Sequence, residues 1–270
     1  MNIDLPDGNI HFVVRGTGVP ILILHGGGLD HRHMLGALEP IFDGTSGWKR
    51  VYIDLPGHGL SRVNENVATQ EDVFHMIAGF ADAVFADDRF AIIGESRGSY
   101  HAMAFAHCRP NDLLGMMLVV ADGMPEATVD WRPSHQTLET VEIASATSPE
   151  AKARFDRLVV QSHDILTKIE RTKIPASQLV DDRLAKSVAQ NFSFGFDLTN
   201  PSKLFEKPCL ILNGRQDAIA GYSDMMNGIE RYPRATLAIL DKAGHSLSWE
   251  QPSLFKAHTL EWLGRMKSEI

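Results

Sequence analysis

The chain has 270 residues, 44% of them hydrophobic and 22% charged, with a formal net charge of −8 and an isoelectric point near 5.8. These proportions exclude a disordered, collagenous or coiled-coil chain, and the acidic balance argues against a nucleic-acid partner. No apolar run approaches the roughly 18–20 residues of a membrane span, and Cys108 and Cys209 form neither a CxxC pair nor a disulfide framework. The expectation is a cytoplasmic protein with no membrane association, both cysteines in its core, and either a monomer or a homodimer.

In chain order, Met1 to Gly8 has no basic, then apolar, leader pattern, and Pro6-Asp7-Gly8-Asn9 reads as a turn. Ile10 to Val14 follows as a β-branched and aromatic run, suited to an antiparallel start. Ile21–Leu24, Arg50–Ile53, Phe90–Ile93, Met116–Val120, Cys209–Leu212 and Thr236–Leu240 are short apolar runs without alternation. Such runs suit strands buried on both faces of a parallel sheet. The spacing predicts helices over Ala68–Ala86, Ser99–Arg109 and Pro252–Met266. The class is therefore α/β, a mostly parallel, doubly wound sheet flanked by helices.

The rhythm stops between Met124 and about Ser202. That stretch carries helical patterns at Glu150–Lys168 and Leu179–Gln190, punctuated by prolines. Ordinary crossovers are one reading. At such length an inserted helical lid is the better one. Residues 1–123 and 203–270 then form a core in two parts, with 124–202 between them.

Gly94-Glu95-Ser96-Arg97-Gly98 follows one predicted strand and precedes a predicted helix. A nucleophilic serine needs such a turn, because small neighbours let strand and helix approach while the hydroxyl stays exposed. His25-Gly26-Gly27-Gly28 follows the first core strand, and Asp54-Leu55-Pro56-Gly57-His58-Gly59-Leu60-Ser61 the second. Gly214-Arg215-Gln216-Asp217 and Gly244-His245, with Glu250-Gln251-Pro252, come near the end. Five motifs in this order resemble the α/β-hydrolase superfamily, and more closely its lidded, esterase-like branch. The resemblance covers nearly the whole chain outside the lid and implies the α/β-hydrolase fold.

It also implies roles. Ser96 is the expected nucleophile, His245 its base and Asp217 the carboxylate that orients the imidazole. Asp122, after the Met116–Val120 run, is the rival acid. The oxyanion hole is expected at the backbone N–H groups of Gly27 and Arg97. The His25 ring is expected beneath its loop as a hydrogen-bonding support. For the Arg97 side chain, a pair with Glu95 or a lid acid is expected, and the alternative is attraction of a substrate carboxylate.

Other residues take plainer readings. His31 and His33 form an HxH beside Asp30, without a full ligand set for a metal, and are read as loop surface. No metal and no organic cofactor are expected. Gly28, Trp131, Phe192, Phe194 and Phe196 are candidate pocket residues, with lid core the favoured reading of the three phenylalanines and the same division for Trp131. The expected activity is hydrolysis of a small, largely apolar ester or lactone through an acyl-enzyme. Alternatives on the same scaffold are a carbon–carbon bond hydrolase, an amidase or aminopeptidase, and a cofactor-free perhydrolase. A ligand receptor is the alternative of another class.

Overall fold

The apolar runs become strands of one sheet in the computed structural model, which describes residues 1–121, 132–198 and 203–269. Among these residues the strands are β1 (Asn2–Leu5), β2 (Gly8–Arg15), β3 (Val19–Leu24), β4 (Trp48–Ile53), β5 (Arg62–Val63), β6 (Phe90–Glu95), β7 (Leu113–Val119), β8 (Cys209–Gly214) and β9 (Ala235–Leu240). Their order is β1-β2-β4-β3-β6-β7-β8-β9, with β5 against β2. β1 and β2 form a hairpin, and β2 runs antiparallel to β4. From β4 across to β9 every pairing is parallel.

The helices are α1 (His31–Phe42), α2 (Gln70–Phe85), α3 (Arg97–Cys108), α4 (Pro149–Phe155), α5 (His163–Lys168), α6 (Ile174–Ser177), α7 (Asp182–Gln190), α8 (Ser223–Asn227), α9 (Leu247–Glu250) and α10 (Pro252–Lys267). Successive strand residues point to opposite faces, and the core divides accordingly. Ile21 and Ile23 of β3 pack in one layer with Leu38 of α1 and Trp262 of α10. Leu22 and Leu24 pack in the other with Phe80 of α2 and Phe105 of α3. Local chemistry sets the helix starts. Thr69 Oγ1 accepts from Asp72 N at 3.0 Å and Asp72 Oδ2 accepts from Thr69 N at 2.9 Å, a reciprocal cap on α2.

The strand order reverses at β3, with β4 on one side and β6 on the other. Loops leaving β3 and β6 diverge there and open a crevice at the carboxyl ends of the strands. That crevice receives the residues after Leu24 and after Glu95.

Three sequence expectations change. His31 and His33 are not loop surface. Asp30 caps α1 by accepting from Arg32 N at 3.0 Å, and the first turn carries His33 into the interior. Cys108 is exposed at the end of α3, whereas Cys209 is buried in β8. The helix expected over Glu150–Lys168 is two helices, α4 and α5. Between them Val159 N donates to Glu250 Oε1 at 2.7 Å, so the chain is tied down by a side chain instead of continuing helical bonds.

Residues 132–198 have no core of their own among the described residues. Ala151, Phe155, Ile165 and Ile169 join the layer of α1 and α10. Leu184, Val188, Phe194 and Leu198 join the layer of α2 and α3. Residues 132–198 thus pack into both layers of the core.

Candidate active site

Ser96 sits between β6 and α3 with φ 51° and ψ −117°, a conformation that L-residues rarely adopt. The surroundings hold it there. Ser96 N donates to Val119 O at 2.9 Å, and Ser96 O accepts from Ser99 N at 2.8 Å. A Cβ on Gly94 would stand 2.3 Å from Gly98 O, and one on Gly98 would stand 2.4 Å from Leu24 O. Only glycine therefore lets the strand, the helix and β3 meet at this turn.

His245 reaches this serine from the loop after β9. Its Nε2 is 3.0 Å from Ser96 Oγ, and its Nδ1 is 2.9 Å from Asp217 Oδ2. The other carboxylate oxygen, Asp217 Oδ1, accepts from Ile219 N at 2.8 Å and Ala220 N at 3.0 Å. Asp217 is fully buried, so these donors replace water around its charge. Burial pulls the His245 imidazole down, but the charge and hydrogen bond of Asp217 outweigh it and leave it above the usual 6.5.

Glu250 anchors the same loop. Its Oε2 accepts from Gly244 N at 2.6 Å, while Oε1 holds Val159 N. One carboxylate therefore ties the His245 loop to the insertion. Burial pushes Glu250 above its usual value, although these N–H groups oppose the shift.

The opposite wall is the loop of Gly26, Gly27 and Gly28. A Cβ on Gly26 would lie 3.3 Å from Ser96 Cβ, and one on Gly27 would lie 3.4 Å from Arg97 Nε, so the loop covers the serine closely. His25 supports it from below, as expected. Its Nδ1 is 2.7 Å from Gly26 O, and its Nε2 accepts from Leu55 N at 2.9 Å. Burial and the neighbouring His58 hold this ring down at about 3, so it stays neutral. Asp54 locks the adjoining loop by accepting from His31 N and Nδ1 and from Leu60 N. Burial raises its carboxyl, but these bonds prevail and bring it to about 2. Among the described residues, His11, His31 and Asp54 come close enough to chelate a cation. The Asp54 oxygens are already engaged in this loop brace.

Ser96 and His245 open into a cleft of about 470 Å3. Gly27, Gly28 and Arg97 line it from the sheet side, and Arg154, Arg157, Leu158, Ile169 and Lys173 from the insertion. Ile169 and Lys173 bound a π-helical turn between α5 and α6, a geometry that recurs at functional sites. Lys173 Nζ donates to Ser246 Oγ at 3.0 Å and lies 4.6 Å over the Trp249 ring. Burial holds its ammonium below the usual lysine value.

Some expected residues go elsewhere. Phe192, Phe194 and Phe196 do not line this cleft. Phe192 and Phe194 stack on Tyr100 at 5.0 and 4.6 Å, and Phe196 stacks on His107 at 5.0 Å. They clamp the insertion to α3, because aromatic faces bury more area against each other than against a polar cleft. Trp131 and Asp122 lie outside the described residues. Glu95 does not pair with Arg97. His33 Nε2 lies 2.8 Å from its Oε1 and 2.9 Å from its Oε2. Burial raises the Glu95 carboxyl, but His33 outweighs it and the balance falls below the usual value. The Arg97 guanidinium lies 5.4 Å over the Phe192 ring.

The alpha/beta hydrolase family model matches residues 21–257. The chain belongs to the alpha/beta hydrolase family. This hydrolase is 23% identical over 285 residues to the 2-hydroxy-6-oxononadienedioate/2-hydroxy-6-oxononatrienedioate hydrolase 1 of Dechloromonas aromatica (strain RCB), covering 95% of this chain and 91% of the relative. It is 24% identical over 266 residues to the pimeloyl-[acyl-carrier protein] methyl ester esterase of Nitrosomonas europaea, covering 92% and 96%. A solved alpha/beta superfamily hydrolase from Oenococcus oeni PSU-1 superposes with a TM-score of 0.89 at 24% identity, over 96% of each chain. Among the described residues of the hydrolase, no helix is long and apolar enough to cross a membrane.

Sequence reasoning missed Arg154, Arg157 and Lys173 of this hydrolase. Each lies in a helical, charge-rich stretch indistinguishable in sequence from a solvated face. The His33–Glu95 pair was equally hidden, since its members are far apart in the chain.

Proposed function

We propose that the protein is a serine hydrolase that cleaves a carbonyl substrate through an acyl-enzyme, with Ser96, His245 and Asp217 as its triad. The observation that carries this reading is the continuous hydrogen-bonded chain from Asp217 through His245 to Ser96, whose hydroxyl faces an open cleft. Ser96 Oγ attacks the carbonyl carbon as its proton passes to His245 Nε2. Asp217 holds the imidazole with Nδ1–H towards its Oδ2 and stabilises the imidazolium. The negative oxygen rests against the backbone N–H groups of Gly27 and Arg97, which need no reorganisation to receive it. Collapse breaks the bond to the leaving group, which takes the proton from His245. Water then attacks the acyl carbon, gives its proton to His245, and Ser96 leaves as the hydroxyl. Residues 124–202 act as the lid in this scheme, with the two flanking segments as the catalytic core.

An ester is the leading substrate class, because the described constellation supplies all that acyl transfer requires. Carbon–carbon hydrolysis is the second reading, supported by the relatives named as hydrolases of 2-hydroxy-6-oxononadienedioate and 2-hydroxy-6-oxononatrienedioate, which match 95% of this chain. Comparison of a p-nitrophenyl ester with a vinylogous diketone separates the two. Incubation with an uncharged fluorophosphonate tests the shared mechanism. The expected outcome is a covalent adduct on the peptide containing Ser96, and an unmodified Ser96 in folded protein overturns it.

A further inference from the structure

The sequence suggests a largely apolar substrate, but the cleft wall does not match one. Among the described residues its charged lining is Arg97, Arg154, Arg157, Lys173 and Glu95, together with His58 and His245 as titratable rings. Glu95, the one carboxylate of that lining among the described residues, is held by His33. Four cations therefore converge on the cleft of a chain whose formal charge is −8. That clustering opposes the overall balance and focuses a positive potential where Ser96 opens.

Arg154 and Arg157 carry the argument. Neither makes a hydrogen bond or ion pair among the described residues, whereas Lys173 is engaged by Ser246 and Trp249. Arg154 is half-buried, and burial and the adjacent Arg157 charge both hold its guanidinium below the usual value. Arg157 is exposed beside it, and a partly desolvated cation next to a second one is destabilised, a cost that an oxyanion between them removes. Guanidinium forks also match carboxylate and phosphate geometry, which a point charge does not. Their placement is fixed. Ala151 and Phe155 bury the inner face of α4, and Val159, two residues after Arg157, is bonded to Glu250 beneath the His245 loop. A smaller lobe of about 210 Å3 shares Arg157 and His245 with the main cleft, so Arg157 borders the space beside the base.

We propose that Arg154 and Arg157 form a subsite for an oxyanion group, a carboxylate or a phosphate, borne by the substrate away from its reacting carbonyl. This rests on the hydrolase reading for its catalytic consequence, but not for the binding itself. Apolar Leu158 and Ile169, which line the same cleft, would receive the intervening chain.

Two measurements test it. The first is the ratio of kcat/KM for p-nitrophenyl hydrogen adipate to that for p-nitrophenyl hexanoate, which has the same acyl length without the charge. The expected ratio falls about 100-fold in the Arg154→Gln/Arg157→Gln double variant and about 10-fold in each single one, since each charge-assisted bond contributes about that factor. Rising salt should lower the wild-type ratio. Arg157→Lys should recover part of it. An unchanged ratio in a double variant of normal Tm overturns the proposal.

The second needs no turnover. In a Ser96→Ala background, adipate and pentyl phosphate are compared as ligands that raise Tm. A rise with either, lost in the double variant, supports the subsite, and the stronger ligand identifies the source of the oxyanion. No rise with either overturns it. An unlabelled Ser96 together with a retained, arginine-dependent Tm shift would remove the hydrolytic reading and leave the anion site standing.

Discussion

On the sheet side of the cleft, Ser96, His245, Asp217 and His25 each have a hydrogen-bond partner within 3.0 Å. On the insertion side, Arg154 and Arg157 have none among the described residues. The first wall is hydrogen-bonded before any ligand arrives, as the proposed chemistry requires of groups that must not reorganise. The second wall is left for a ligand to complete, as recognition requires. Glu250 links the two, with Gly244 on one oxygen and Val159 on the other.

Substitutions on the preorganised side should have the largest effects. Ser96→Ala is expected to lower kcat on a p-nitrophenyl ester by roughly 10⁵-fold or more, with Tm preserved. Retention of even a tenth of the wild-type rate would break the contrast. Asp217→Asn should lower kcat by roughly 10⁴-fold, because the amide favours the wrong imidazole tautomer. The pH profile sharpens this second prediction. Protonated His245 cannot take the Ser96 proton, so kcat/KM is lost as pH falls through the His245 pKa. Since Asp217 holds that pKa above 6.5, the wild-type limb should lie above 6.5. In Asp217→Asn the residual activity should show that limb at lower pH. A limb that stays in place would mean that Asp217 does not set the charge on the base.

Effects on the insertion side should be smaller and selective. The Arg154→Gln/Arg157→Gln double variant should change discrimination between charged and neutral esters by about 100-fold. Phe194→Ala should act on stability alone. Phe194 is buried, 4.6 Å from the Tyr100 ring and 4.8 Å from that of Phe196. Its truncation should cost about 3–5 kcal/mol, read as a lower Tm or denaturation midpoint. KM for a neutral ester should stay within about 2-fold, since any larger change would exceed a few tenths of a kcal/mol at the site. A large rise in KM with little change in Tm would return this side chain to the cleft wall.

The residues legible in advance were those whose constraint is local. Gly94 and Gly98 are legible because backbone approaches within van der Waals distance admit no side chain. The buried strands are legible because unbroken runs such as Ile21–Leu24 leave no polar face for solvent. The HxH at His31 and His33 misled, because the cap at Asp30 is a single residue and the burial of His33 depends on Glu95 far along the chain. The partners of Phe192, Phe194 and Phe196 stayed hidden for a related reason. Alternation names their shared face but not the Tyr100 and His107 rings that it meets.

The sequence by itself determined the α/β sheet, its chain order and the turn that exposes Ser96, because these follow from apolar periodicity and from backbone conformations open to few residue types. Tertiary structure decided which charges face the cleft. Arg154, Arg157 and Lys173 are ordinary cations on short helical turns and the turn after α4 until the Glu250 tether and the two core layers set them around the cleft of Ser96. A charge in sequence carries no direction, and only the packing of the insertion across both faces of the sheet supplies one.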